Sequence, residues 1–217
     1  MATLATVIII RMSLSSAENN YRYDVFVSYT RNPIVGEWVQ NHFLSLFRHH
    51  LDNALGYHPE IFVDTQSISA GDTWPLQIRE ALSYSKCLIA VVSPPYFRSN
   101  WCMEECHTML AREKLEGFGR EGNGKGLVIP VIAGDGKHHP RYISNIQSAD
   151  FRRFVMKGGA FVDSPRYLEF QDMMARWTEQ VADVVQQAPD WKPHWLNDLV
   201  VEVPEPEPIN IDKPRLR

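Results

Sequence analysis

Short segments rich in β-branched and aromatic residues recur along this chain, and between them run stretches with the period of amphipathic helices. That alternation restricts the architecture more than any other feature. Strand–helix units joined by short loops build a parallel sheet with helices packed on both faces. The first segment, YDVFVSY, covers Tyr23 to Tyr29; after the turn TRNPIVG, Val39, Phe43, Leu46, Phe47 and His50 fall on one helical stripe. EIFVD (Glu60 to Asp64) reads as a second strand, followed by the polar loop TQSISAGDT. Asp72 or Thr73 caps the next helix, with Pro75 tolerated in its first turn. KCLIAVVS is the third strand, and Ser99 or Asn100 caps a helix that runs to about Leu115. LVIPVIA (Leu127 to Ala133) and GAFVD (Gly159 to Asp163) read as the fourth and fifth strands. A last helix carries Phe170, Met173, Met174, Trp177, Val181 and Val184 on one stripe.

With 217 residues, 44% of them apolar, the chain is long enough for one well-buried core. A net charge of −4 gives no general attraction to nucleic acid or to an acidic membrane, so neither is expected as a partner. The three cysteines suit a reducing cytoplasm better than a disulfide framework. No apolar run reaches the roughly 20 residues needed to span a bilayer. The start, MATLATVIIIRM, lacks a basic n-region and a cleavage site, so it does not read as a signal peptide. The expected organisation is a flexible extension over 1–20, one domain over 21–188, and a Pro-rich tail or linker over 189–217.

In parallel sheets of this kind ligands sit beyond the carboxyl ends of the strands. Here those ends are SYTRNP, DTQSISAGDT, SPPYFRSNW and AGDGKHHP, so the stretch Ser99 to Cys106, SNWCMEEC, lies on that rim. With Trp101 at zero and a step of about 100° per residue, the core direction falls at about 130°, Glu104 at about 300° and Glu105 at about 40°. Glu104 is therefore expected in solvent, and Glu105 at the core's edge beneath the indole. The plain alternative for Glu105 is a helix-start carboxylate or a boundary ion pair.

YDVFVSYTR and then IFVDTQSISAGDTWPLQIREALSYSKCLIAVVSPPYFRSNWCMEEC resemble a Toll/interleukin receptor (TIR) domain. The resemblance rests on the DVFVSY strand, the FVD strand end with a loop closing on Gly71, the VVSP strand and the helix opening WCxxE. It covers roughly Tyr23 to Gln187 and is densest from Asp24 to Cys106. It implies a flavodoxin-like five-stranded parallel sheet with helices on both faces.

The resemblance also implies one of two functions. Many prokaryotic and plant members cleave NAD+ at the nicotinamide–ribose bond, whereas others, including many animal members, only assemble with one another. The resemblance is to the prokaryotic NAD-cleaving type, in which the family glutamate falls three residues after the Cys of WCxxE, which is Glu105. The implied activity is that of an NAD+ glycohydrolase releasing nicotinamide and ADP-ribose or a cyclic isomer, in anti-phage defence and innate immune signalling. NAD+ is then a substrate, and no cofactor or metal is expected. Trp101 would stack nicotinamide, or else merely cap the sheet end. Tyr29, Thr30 and Arg31 resemble the family's substrate-facing loop, with Arg31 toward the pyrophosphate or simply solvated. Asp64, at the second strand's end, is implied as a substrate-binding residue, and Asp64 to Thr73 matches a loop that lids the site and contacts neighbouring subunits, with Gly71 and Asp72 within it. Trp74 anchors that loop or packs in the core, and Ser93 and Phe97 are pocket wall or structural. Homotypic assembly into an oligomer is implied in either case. A non-catalytic scaffold is the main alternative, and a nucleoside-deoxyribosyltransferase-like enzyme a weaker one.

Other signals are set aside. Cys106 and His107 are adjacent and diverge around the helix, so they make a poor metal pair with Cys102. EGNGKG lacks the spacing of a phosphate loop.

Overall fold

Along the first strand, β1 (Tyr23–Tyr29), side chains alternate between two cores. Val25 and Val27 enter one, and Phe26 enters the other. This is what a strand buried on both faces requires, and it explains why its middle, Val25 to Val27, is apolar without a polar beat. The computed structural model describes residues 20–63, 76–118, 125–135, 140, 143 and 145–196.

Four more strands join β1: β2 (Ile61–Val63), β3 (Ser85–Val92), β4 (Val128–Ile132) and β5 (Ala149–Asp150). All pairs are parallel and the order is β2-β1-β3-β4-β5, so the fold is the flavodoxin-like five-stranded sheet expected. On one face lies a continuous helix, α1, made of an α-helical turn Val35–Trp38, a π-helical turn Val39–Phe43 and an α-helix Leu44–Leu55. Beside it lies α4 (Pro165–Gln186). Phe43, Phe47, Phe151, Phe170 and Trp177 interlock there as stacked, tilted and edge-on ring pairs. The other face is covered by α2 (Leu76–Ser83) and α3 (Asn100–Leu115), through Ile78, Leu82, Cys102, Cys106 and Met109.

Two expectations change. The fifth strand is Ala149–Asp150, paired to Val131 and Ile132, not the GAFVD stretch. Gly159–Phe161 is a 3-10 turn instead; Phe161 plugs the core edge-on to His42 while Val162 is exposed. A short apolar–polar beat looks the same in a turn as in a strand, and the register with β4 had already been taken by 149–150. The second change concerns the tail. The segment after Pro189 does not leave the body at once: Trp195 is 1% exposed, and Trp191 stacks on Tyr84 at 5.0 Å. The packed body thus extends to residue 196, because two indoles outweigh the Pro-rich character that the composition displays.

Candidate functional site

The carboxyl ends of β1 and β3 meet side by side, with Ser28 registered against Ala90 and Tyr29 against Val91. Beyond them a set of hydroxyls converges. The Ser28 and Tyr96 hydroxyls share a hydrogen bond of 3.0 Å, and those of Thr30 and Ser93 share one of 3.5 Å. Asn32 organises the loop: its amide donates to Thr30 Oγ1 at 3.2 Å, and its side-chain oxygen accepts from the N–H groups of Ile34 and Val35. This Asx turn launches α1. Two glycines make the close passage possible. A Cβ on Gly36 would lie 3.1 Å from the Arg31 Cα, and one on Gly134 would lie 2.9 Å from Pro94 Cδ and 3.0 Å from Ser93 Cβ.

The helix α3 starts where expected. Ser99 is its N-cap, accepting from Cys102 N–H through its hydroxyl. Glu105 is 3% exposed, whereas Glu104 and Trp101 are half-buried. The two glutamates are therefore unlike, as the helical wheel requires, but Glu104 does not stand in free solvent. Burial raises its carboxyl above the ordinary value, and Arg79 of α2 pulls it back. The correction follows from α2 packing alongside α3, on the side of the helix that a single-helix wheel assigns to water. Burial also drives the Tyr96 hydroxyl well up, and Cys106, Cys102 and Glu105 act in the same direction. The Tyr96 hydroxyl thus remains neutral.

Of the residues singled out from the sequence, Thr30 and Ser93 are brought into contact. Tyr29 receives a hydrogen bond from Gln40, Phe97 packs edge-on to Tyr96, and Arg31 is exposed. Asp64, Gly71, Asp72 and Trp74 lie outside the described residues. Sequence reasoning missed Ser28, Asn32, Gln40 and Tyr96. Tyr96 had a signal, an aromatic in the loop between β3 and α3, and Asn32 had one, an Asn-Pro turn just ahead of a helix; Ser28 and Gln40 had none, since their partners Tyr96 and Tyr29 stand on other elements. A cleft of about 660 Å³ opens elsewhere, between the start of β4, residues 145–150 and α4. It shares no residue with the rim.

Comparison with known proteins bears on the family. The chain is 28% identical over 172 residues to the disease resistance protein RPS6 of Arabidopsis thaliana, covering 79% of this chain and 13% of that protein. It is 33% identical over 93 residues to the disease resistance protein RML1A of the same plant, covering 43% of this chain and 8% of that one. It thus spans a small part of the length of these relatives. Among solved structures, the TIR domain of the Toll-related receptor TRR-2 from Hydra magnipapillata is 22% identical with a TM-score of 0.40, covering 70% of this chain and 98% of that one. The TIR domains of the activated Roq1 resistosome, which recognises the pathogen effector XopQ, are 23% identical with a TM-score of 0.34, covering 74% and 84%. The family model described as TIR domain matches residues 25–159, from β1 past β5, and the chain belongs to the TIR domain family.

Proposed function

We propose that this TIR domain is an NAD+ glycohydrolase of the NAD-cleaving type, with Glu105 as its catalytic residue. The observation that carries this reading is the burial of Glu105, 3% exposed, one helical turn below Trp101 at the carboxyl edge of the sheet. Nicotinamide in NAD+ is already a cationic leaving group. When the C1′–N bond breaks, the bonding pair goes to the ring nitrogen and nicotinamide departs neutral, so no general acid is required. The barrier is the positive charge left on the ribose, and a desolvated carboxylate stabilises it far more than one in water. Water then adds to C1′ and releases a proton, giving ADP-ribose; attack by an adenine nitrogen gives a cyclic isomer instead. Trp101 offers a ring face to the nicotinamide cation. Tyr29, Thr30, Arg31, Ser93 and Phe97 would line the substrate, with the neutral hydroxyls of the Thr30–Ser93 pair toward it. The parts assigned to Asp64, at the substrate, and to Gly71, Asp72 and Trp74, in a covering and assembly loop, rest on the sequence resemblance.

Relatives named as disease resistance proteins support a role in innate immune signalling. The anti-phage setting rests on resemblance to the prokaryotic members. Homotypic assembly accompanies the reading as a family trait. Among the described residues no helix is long and apolar enough to cross a membrane, and we place the protein in the cytoplasm.

The test is nicotinamide release from NAD+ by the purified chain, alone and under crowding. Glu105→Gln should lower the rate roughly 100- to 1,000-fold, and Glu104→Ala by no more than about threefold. Activity that survives Glu105→Gln but disappears in Glu104→Ala would sink the assignment. No release under any assembly condition would leave the non-catalytic scaffold as the function.

A further inference from the structure

The end of the structure opposite the rim is built around a buried cation. Arg112 of α3 is 1% exposed, and its guanidinium donates to the carbonyls of Ser83, Ser85 and Lys86 and to the Met109 sulfur. Among the described residues its Nε has no hydrogen-bond partner. Ser83 and Ser85 flank the C-terminus of α2, so Arg112 acts as an internal C-cap, meeting the negative end of that helix.

Residues 189–196 close this site from outside. Trp195 lies under the guanidinium, 4.6 Å from its ring centroid to the Arg112 Cζ, and its carbonyl accepts from Ser83 Oγ. Trp191 donates its indole N–H to the Ser83 carbonyl at 3.0 Å. Glu116, the acidic neighbour of Arg112, is itself held by the segment, through Lys192 and the Trp195 indole N–H. The other end of the packed chain is tied to the same corner. Tyr21 donates to the Pro189 carbonyl, and Arg22 sits 3.9 Å from the Tyr84 ring on which Trp191 is stacked.

We propose that residues 189–196 form a releasable strap whose docking sets the seating of α2 and of the C-terminal end of α3. The physical reason is the charge beneath it. Docking the strap buries two indoles but also strips water from a guanidinium that, among the described residues, makes no direct salt bridge; that desolvation holds the pKa of Arg112 down to about 10. Undocking therefore loses apolar burial and regains hydration, so the strap is held less firmly than its aromatic area suggests. Its release frees the Ser83 carbonyl from Trp191 and uncovers Arg112, which lies about two turns along α3 from Glu105. The strap acts at this corner whether or not Glu105 cleaves a substrate.

Hydrogen–deuterium exchange on the full chain tests this. In Trp195→Ala, amides in 189–196, the last turn of α2 and Arg112–Glu116 should exchange about tenfold faster or more, while central β1 and β3 amides stay within about twofold. Lys192→Glu, an exposed change that repels Glu116, should shift the same peptides less and in the same direction. Faster exchange confined to 189–196 would overturn the coupling, and equal loss across β1 and β3 would make the segment ordinary core. Should Trp195→Ala fail to fold, an unchanged α2 in Lys192→Glu overturns the proposal by itself.

Discussion

Adjacent residues here have unlike fates, and the reasons are local. Glu104 and Glu105 differ by one step of about 100° around α3. That step separates a half-buried carboxyl beside Arg79 from one that is almost fully enclosed. Gly134 shows a different kind of constraint: it follows β4, and the space for its Cβ is already filled by Ser93 and Pro94. Gly134→Ala should destabilise the fold by about 1–3 kcal/mol, because backbone and a proline ring cannot yield cheaply. The shift should also pull Ser93 off Thr30. Thermal melting reports the first effect and the KM for NAD+ the second; an alanine accommodated without either would show that the loop after β4 gives way freely.

At the scale of elements, α1 is the most informative. Of the stripe read from the sequence, Val39, Phe43 and Phe47 are fully buried, Leu46 and His50 only partly, and Leu51, which that stripe did not include, completes the core face. The π-helical turn over Val39–Phe43 was not legible, since one wider turn barely alters the spacing of apolar residues. His42 lies in that turn, buried edge-on against Phe161, and burial lowers its pKa below 6.5 against the opposing pull of Glu37. His50 shifts the same way by burial, aided by the like charge of His49. A histidine with a depressed folded pKa binds its proton more readily when unfolded. Its contribution is complete above the ordinary value of 6.5 and is lost as the pH falls toward and through the depressed one. The melting temperature should therefore decline as the pH drops below about 6.5, and His42→Phe should flatten part of that slope. Melts across that interval, wild type against variant, check the sign.

For the whole molecule, the contribution of residues 189–196 is what links the C-terminal ends of α2 and α3 to the rest. The chain shortened to residue 196 is the reference. Removing 189–217 also takes Trp191 and Trp195 and should cost about 1–3 kcal/mol, less than a tryptophan lost from a closed core, because Arg112 regains water. Equal midpoints for the two shortened chains would show that the strap adds nothing to stability.

The sequence by itself determined the strand–helix order, the double burial of β1 and β3, the Ser99 cap and the inequality of the two glutamates. Each follows from local periodicity or from chemistry within one helical turn. Tertiary structure alone decided which segment became β5, since a two-residue edge strand carries no apolar signature and is defined only by the β4 backbone beside it. The same holds for Tyr96, which acquires its meaning from Ser28, far away in the chain. It holds too for Arg112 and Trp195, which meet only because α4 returns the chain to the foot of α2. Contacts between distant segments have no period to read, and those contacts shape both the rim and the corner opposite it.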